Sequence, residues 1–155
     1  MEIYVAADHN GFEMKNQLVR WLVEQGYHVV DMGPTEFNKA DDYPDFGIPV
    51  ANAVAEDTKN RRGVLLCASG VGMAVVASKA TGVRASLIHD PAIAAAAQRD
   101  DNINIVAIGA AYIDLPTAKK VITNWLTTPF SGEERHVRRI NKITTYEKLQ
   151  RINNE

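Results

Sequence analysis

The only cysteine of the 155-residue chain, Cys67, ends the apolar run Gly63-Val64-Leu65-Leu66 and is followed by Ala68-Ser69-Gly70-Val71-Gly72-Met73-Ala74. A thiol, a hydroxyl and two glycines therefore meet where a strand-like run gives way to an Ala/Val-rich helical pattern. The first amides of a helix have no intrahelical partner, and the helix dipole is positive there. Such a junction attracts anions. It also favours the thiolate, the form of cysteine that acts as base and nucleophile. The segment is suited to holding a developing negative charge beside a group that removes a proton. The alternatives are a small buried core cysteine and a tight turn whose glycines supply positive φ. Gly70-Val71-Gly72 is neither a dinucleotide fingerprint, which follows the first strand as G-x-G-x-x-G, nor a P-loop, which needs Gly-Lys-Ser/Thr.

Two further groups of residues could act with it. Asp8-His9-Asn10-Gly11 follows the first apolar run. It either caps the next helix or presents Asp8 and His9 to a polar ligand. Arg135-His136-Val137-Arg138-Arg139 lies near the C-terminus. Charge runs are commonly solvated faces. In a helix, however, Arg135 and Arg139 stand one turn apart, and two guanidinium groups on one face suit a phosphate. Arg61-Arg62 reads as solvated surface in a loop.

These residues need a frame to position them. Five short runs rich in Val, Ile and Leu predict strands at Ile3–Ala7, His28–Met32, Gly63–Ala68, Val83–Ile88 and Asn104–Gly109. Their lack of polar alternation predicts strands covered on both faces. Helices are predicted at Phe12–Gln25, Asp45–Lys59, Val71–Lys79, Pro91–Asp100, and about 116–127 and 133–153. In the first, Phe12, Leu18, Leu22 and Val23 form an apolar stripe, Glu13, Lys15 and Gln17 face water, and Gly26 stops the helix. Pro91 suits a first helical turn. The alternation predicts an α/β fold: one domain over residues 1–155 with a five-stranded parallel sheet, right-handed crossovers and helices on both faces. Ligands in such folds bind beyond the C-terminal strand ends. Asp8-His9 and Cys67-Ala68-Ser69 should therefore share one rim, and the irregular segment from Asp31 to Pro49 is a further candidate for function.

A net charge of −2, with 46% hydrophobic and 23% charged residues, describes an ordinary soluble domain with no general affinity for nucleic acid or anionic membrane. The apolar runs are too short to span a bilayer, and the N-terminus shows no signal-peptide pattern. A lone cysteine forms no internal disulfide, and no Cys/His spacing resembles a zinc site. The expectation is a cytoplasmic protein with no metal or other cofactor.

The ordered set of motifs resembles the ribose-5-phosphate isomerase type B family, which also contains galactose-6-phosphate isomerase subunits. The set comprises Asp8-His9-x-Gly11, Asp42-Tyr43-Pro44-Asp45, Cys67-x-Ser69-Gly70-x-Gly72, Gly82-Val83-Arg84-Ala85, Asn104-Ile105-Val106-Ala107-Ile108-Gly109 and Arg135-His136-x-x-Arg139. The resemblance implies a three-layer α/β/α, Rossmann-like sandwich and metal-independent aldose–ketose isomerisation of a sugar phosphate through an enediol(ate). Ribose 5-phosphate is the leading substrate. A tetrose or hexose phosphate and a non-catalytic sugar-phosphate-binding module are the alternatives. Cys67 matches the family's base, and Ser69 stands where a threonine is usual. Amides around Gly70, Val71 and Gly72 would hold the enediolate oxygen. Asp8 and His9 match substrate-contacting positions. Arg135, His136 and Arg139 match a phosphate-binding region reached across a dimer interface. The C-terminal helix is expected to pack on that partner, in a homodimer, a dimer of dimers or a heteromer. The chain departs from the family at Asp100 and Asp101, which replace a His-Asn pair whose histidine helps open the sugar ring, and at Ala68, where glycine is common.

Overall fold

The computed structural model describes residues 1–152, the Arg151 side chain excepted. Strand and helix alternate as β1 (Glu2–Ala7), α1 (Phe12–Glu24), β2 (His28–Asp31), α2 (Pro44–Glu56), β3 (Arg61–Cys67), α3 (Val71–Ala77), β4 (Ala85–Leu87), α4 (Pro91–Asp101), β5 (Ile105–Gly109), α5 (Leu115–Thr127) and α6 (Glu134–Ile152). All strand pairs are parallel, in the order β2-β1-β3-β5-β4. The expected five-stranded sheet is thus present. Position 153, the last of the helix expected over 133–153, lies outside the described residues.

Successive strand residues point to opposite faces, and each face carries its own core. Ile3, Val5, Val64, Leu66, Val106 and Ile108 pack with Leu18, Leu22, Ala94, Val121, Ile122 and Trp125 of α1, α4 and α5. Tyr4, Ala6, Leu65, Cys67, Ile105 and Ala107 pack with Val50, Val54, Met73 and Ala77 of α2 and α3. Each fully buried large aliphatic side chain among these contributes roughly 1.5–3 kcal/mol of burial free energy. Strands β1 and β3 are neighbours, yet the helices that follow them lie on opposite faces. Their connections diverge and leave a crevice above the two C-terminal strand ends, the usual ligand position in such sheets.

Four sequence expectations need correction. Arg61 and Arg62 belong to β3, which begins at Arg61. Arg61 meets Glu2 Oε2 at 3.2 Å, Ala53 O at 2.9 Å and the Tyr4 ring at 5.4 Å. Arg62 donates to the Thr58 and Arg61 carbonyls, and burial lowers the pKa of its guanidinium. Lys15 is buried instead of facing water, because its ammonium reaches Asp31 Oδ2 at the end of β2, 2.6 Å away. Strand β4 is shorter than the run Val83–Ile88, because Arg84 N–H donates to the Asn104 side chain at 2.8 Å instead of a neighbouring strand. Similarly, α2 stops at Glu56, where the Asp57 carboxylate takes the Lys59 and Asn60 amides.

Helix α6 stands apart. Its start packs on the end of α4, and Glu147 Oε2 accepts from Gly82 N–H at 3.2 Å. Val137, Ile143, Tyr146 and Leu149 are exposed along it. No described helix is long and apolar enough to cross a membrane.

Candidate active site

Cys67 is the last residue of β3 and is buried, with 5% exposure. Gly70 N–H donates to its Sγ at 3.1 Å, which stabilises negative charge on sulfur. That bond requires the chain to turn back sharply, and Gly70 does so at φ +77°. A Cβ there would lie 2.5 Å from Leu87 Cδ1 and 2.8 Å from Gly109 N, so only glycine fits. Val71 N–H points to Ser69 Oγ at 3.3 Å. The first helical hydrogen bond of α3 runs from Ala74 N to Gly70 O at 3.0 Å. The Gly72 and Met73 amides thus lie in the first turn of α3, ahead of that bond, and have no intrahelical partner.

The other wall of the crevice is the end of β1. Asp8 N–H donates to Leu66 O at 3.2 Å, which joins the ends of β1 and β3. The Asp8 side chain is buried and its Oδ1 accepts from Asn10 N at 2.9 Å and Gly11 N at 3.2 Å. Asp8 therefore closes the strand–helix turn, and the α1 N-cap, Gly11, has no side-chain cap. His9 is held by Asp41, whose Oδ1 accepts from His9 N at 3.0 Å and meets His9 Nδ1 at 2.6 Å. The Phe37 ring stands edge-on to His9 at 6.3 Å.

The segment between β2 and α2 spans both walls. Asp41 grips His9, while the Tyr43 ring lies so close over Gly72 that a Cβ there would approach it to 2.7 Å. The sequence marked this segment only as a long loop with a family motif. It carried no local sign of Asp41, which lies 32 residues from its partner. It also left out His89, whose Nε2 accepts from Gly109 N–H at 3.1 Å and whose ring stacks on Tyr112. Asp8, His9 and Asp41 each offer an atom within 4.8 Å of the others, a spacing that metal ligands also adopt.

The arginine motif lies elsewhere. In a parallel sheet each helix returns the chain to the N-terminal edge, so the end of α4 and the start of α6 lie opposite the Cys67 rim. The two ends of a strand such as β3, seven residues long, are about 20 Å apart. There Arg99 forms a paired contact with Asp100, Nε to Oδ1 at 2.8 Å and Nη2 to Oδ2 at 3.1 Å. This hydrogen bonding holds the Asp100 carboxyl below the usual carboxylate range. Asp101 ends α4 one residue on. His136 is buried, with Ser131 Oγ at 2.6 Å from Nδ1 and Asp100 Oδ1 at 3.9 Å from Nε2. It ties α6 to α4. Arg135 and Arg139 are exposed on consecutive turns of α6, Arg135 in contact with Glu133 Oε2 at 2.8 Å. The structure thus brings together Asp8, His9, Cys67, Ser69, Gly70, Val71 and Gly72 at one edge. It gathers Arg135, His136 and Arg139 at the other.

Comparison with known proteins matches residues 3–143 to the family model described as Ribose/Galactose Isomerase. A probable ribose-5-phosphate isomerase B of Mycoplasma pneumoniae is 36% identical over 146 residues, 94% of this chain and 95% of the relative. A D-erythrulose-4-phosphate isomerase of Pectobacterium atrosepticum is 34% identical over 147 residues, 95% of each chain. The crystal structure of ribose-5-phosphate isomerase B from Mycoplasma genitalium with bound ribulose-5-phosphate superposes with a TM-score of 0.92, at 37% identity, covering 95% of this chain and 96% of that one.

Proposed function

The chain belongs to the ribose/galactose isomerase family, and from that membership we propose that it interconverts ribose 5-phosphate and ribulose 5-phosphate through an enediol(ate). The carrying observation is Cys67 Sγ, 3.1 Å from Gly70 N–H, at the head of the β1/β3 crevice. Cys67 takes the proton from C2 of the open aldose. The C–H electron pair forms the C1=C2 bond, and the carbonyl pair moves onto O1. Ser69 and the Gly72 and Met73 amides stabilise that oxygen, as preorganised donors do for developing oxyanions. The O2 hydroxyl proton passes to O1, C2=O2 forms, and the C1=C2 pair takes the proton back from Cys67 at C1. The amides supply the electrophilic stabilisation, so the reaction runs without a metal ion. We read Asp8, His9 and Asp41 as a hydrogen-bonded cluster, since His9 Nδ1 and Asp41 Oδ1 meet at hydrogen-bond distance, 2.6 Å.

One chain places the arginines at the wrong edge to hold the phosphate of a sugar bound at Cys67. We therefore propose a dimer in which Arg135 and Arg139 of one protomer complete the site of its partner. The exposed apolar side of α6 packs at that interface, and His136 anchors the helix. Such an enzyme works as a single-domain protein in the cytoplasm.

A second substrate is favoured by Asp100. Its pairing with Arg99 keeps it a carboxylate, which donates no proton at neutral pH. A tetrose 4-phosphate cannot close a furanose through its phosphorylated O4 and needs no ring-opening acid. The test is a comparison of kcat/KM for ribose 5-phosphate, erythrose 4-phosphate, allose 6-phosphate and galactose 6-phosphate, with deuterium uptake from D2O measured in parallel. Ribose 5-phosphate should be preferred. Preference for erythrose 4-phosphate moves the assignment to the tetrose, and binding without turnover or deuterium uptake leaves only a binding module.

A further inference from the structure

We propose that Asp41 is a positioning residue that makes His9 the acid–base group opening the sugar ring, an inference that rests on the isomerase activity proposed above. Asp41 Oδ1 accepts from His9 N at 3.0 Å and lies 2.6 Å from His9 Nδ1. A carboxylate only accepts, so Nδ1 carries the proton and the ring cannot rotate away. Nε2 then accepts from Asn10 Nδ2 at 2.9 Å in an exposed contact, and the same Asn10 amide donates to Asp8 Oδ2 at 3.4 Å. The His9 side chain is 26% exposed and the Asp41 side chain 8%. The imidazole thus has an anchored, dry back and an accessible front at the crevice. Asp41 Oδ2 is buried with no hydrogen-bond partner among the described residues. An undercompensated buried carboxylate is costly to fold around, and it stabilises an imidazolium next to it.

Asp100 is bound by Arg99 and stays ionised, while both nitrogens of His136 face other groups. His28 pairs with Glu2 at the opposite edge of the sheet, and His89 is held by a backbone amide, whereas the Nε2 partner of His9 is the exposed side chain of Asn10, which a sugar hydroxyl can displace. In ring opening, Nε2 takes the proton of the anomeric hydroxyl. The O1 lone pair forms C1=O1, the C1–O4 bond breaks with its electrons staying on O4, and the imidazolium delivers the proton to O4. His9 ends unchanged.

The test uses the full-length chain, Asp41→Asn, His9→Gln and the double variant on two sugars. Ribose 5-phosphate enters as a furanose. Ribulose 5-phosphate enters open, because its phosphorylated O5 cannot close a furanose. Asn keeps the size of Asp41 and can still accept from His9 N–H. Asp41→Asn should lower kcat/KM for ribose 5-phosphate roughly tenfold or more, the scale of acid–base assistance. It should leave deuterium uptake from D2O at C1 of ribulose 5-phosphate within about threefold, because enolisation of the open ketose precedes any ring step. A residue acting only through His9 loses its effect once His9 is gone, so the double variant should match His9→Gln. Equal losses on both sugars, no loss on ribose 5-phosphate, or additive losses overturn the inference while leaving the isomerase standing. A wild-type chain inactive on both sugars overturns the proposed function, and this inference with it.

Discussion

The role proposed for Cys67 combines two requirements that oppose each other in most cores. A base must reach substrate, and a thiolate must be stabilised away from bulk water. The strand end suits both, because Cys67 lies at the edge of the sheet, is only 5% exposed, and accepts at Sγ from Gly70 N–H at 3.1 Å. Cys67→Ala removes the proton carrier and Cys67→Ser replaces it with a far weaker acid. Either should lower kcat about 10²- to 10⁴-fold, the span of general acid–base catalysis, with unchanged circular dichroism. Near-normal turnover of the alanine variant would remove Cys67 from the mechanism. At the other edge, the Arg99 hydrogen bond holds Asp100 below the ordinary carboxylate range. A depressed folded-state pKa gives stability above the unfolded pKa that is lost as pH falls through the folded one. Asp100 is on the surface, so that contribution is small. Arg99→Ala should raise the Asp100 carboxyl pKa, read by carbon NMR titration, with little change in unfolding midpoint. A residue such as Cys67 was legible because its surroundings are contiguous in sequence. Asp41 was not, since nothing within its own segment points to a histidine 32 positions away.

At the scale of elements, the turn between β3 and α3 depends on Gly70 more than on any other backbone position of the site. Its φ of +77° and a Cβ contact of 2.5 Å with Leu87 Cδ1 act together in Gly70→Ala. The left-handed conformation alone costs about 1–2 kcal/mol, and the collision with the backbone N of Gly109 at 2.8 Å adds to it. Gly26 has φ +85° but no atom within 4 Å of a built Cβ. Chemical denaturation should therefore show a clearly larger loss for Gly70→Ala than for Gly26→Ala. Only Gly70→Ala should also lower turnover, because it displaces the donor to Sγ. Equal destabilisation would mean that the packing around Gly70 yields easily. Periodicity made the elements legible where burial is uniform, as in β1 and β5. It failed where polar groups enter a strand with partners of their own. Arg61 and Arg62 look like a loop until Glu2 and the Thr58 carbonyl are seen to receive them. Lys15 looks like a solvated helix residue until Asp31 is seen across the gap.

For the whole molecule, the decisive fact is the separation of the two half-sites. The parallel topology places Cys67 and His9 at the C-terminal edge and Arg135 and Arg139 at the N-terminal edge, about one strand length apart. Alternation along the sequence predicted the sheet and the shared rim of Asp8-His9 and Cys67-Ala68-Ser69, whereas the second molecule we propose as companion of the exposed α6 face is encoded by no intrachain pattern. If the proposed dimer is right, Cys67→Ala and Arg139→Ala each damage both sites of their own homodimer. In a heterodimer of the two, one site receives both lesions and the other receives none. Random re-association of equal amounts makes half the dimers mixed, each with one intact site of two, so activity should recover to about a quarter of wild type. Turnover measured before and after subunit exchange, with exchange verified by native mass spectrometry, checks this. Recovery near that level requires arginines that serve a neighbour's thiol. Exchange without recovery requires each chain to hold its own phosphate, and Arg139 would then belong to the solvated face of α6.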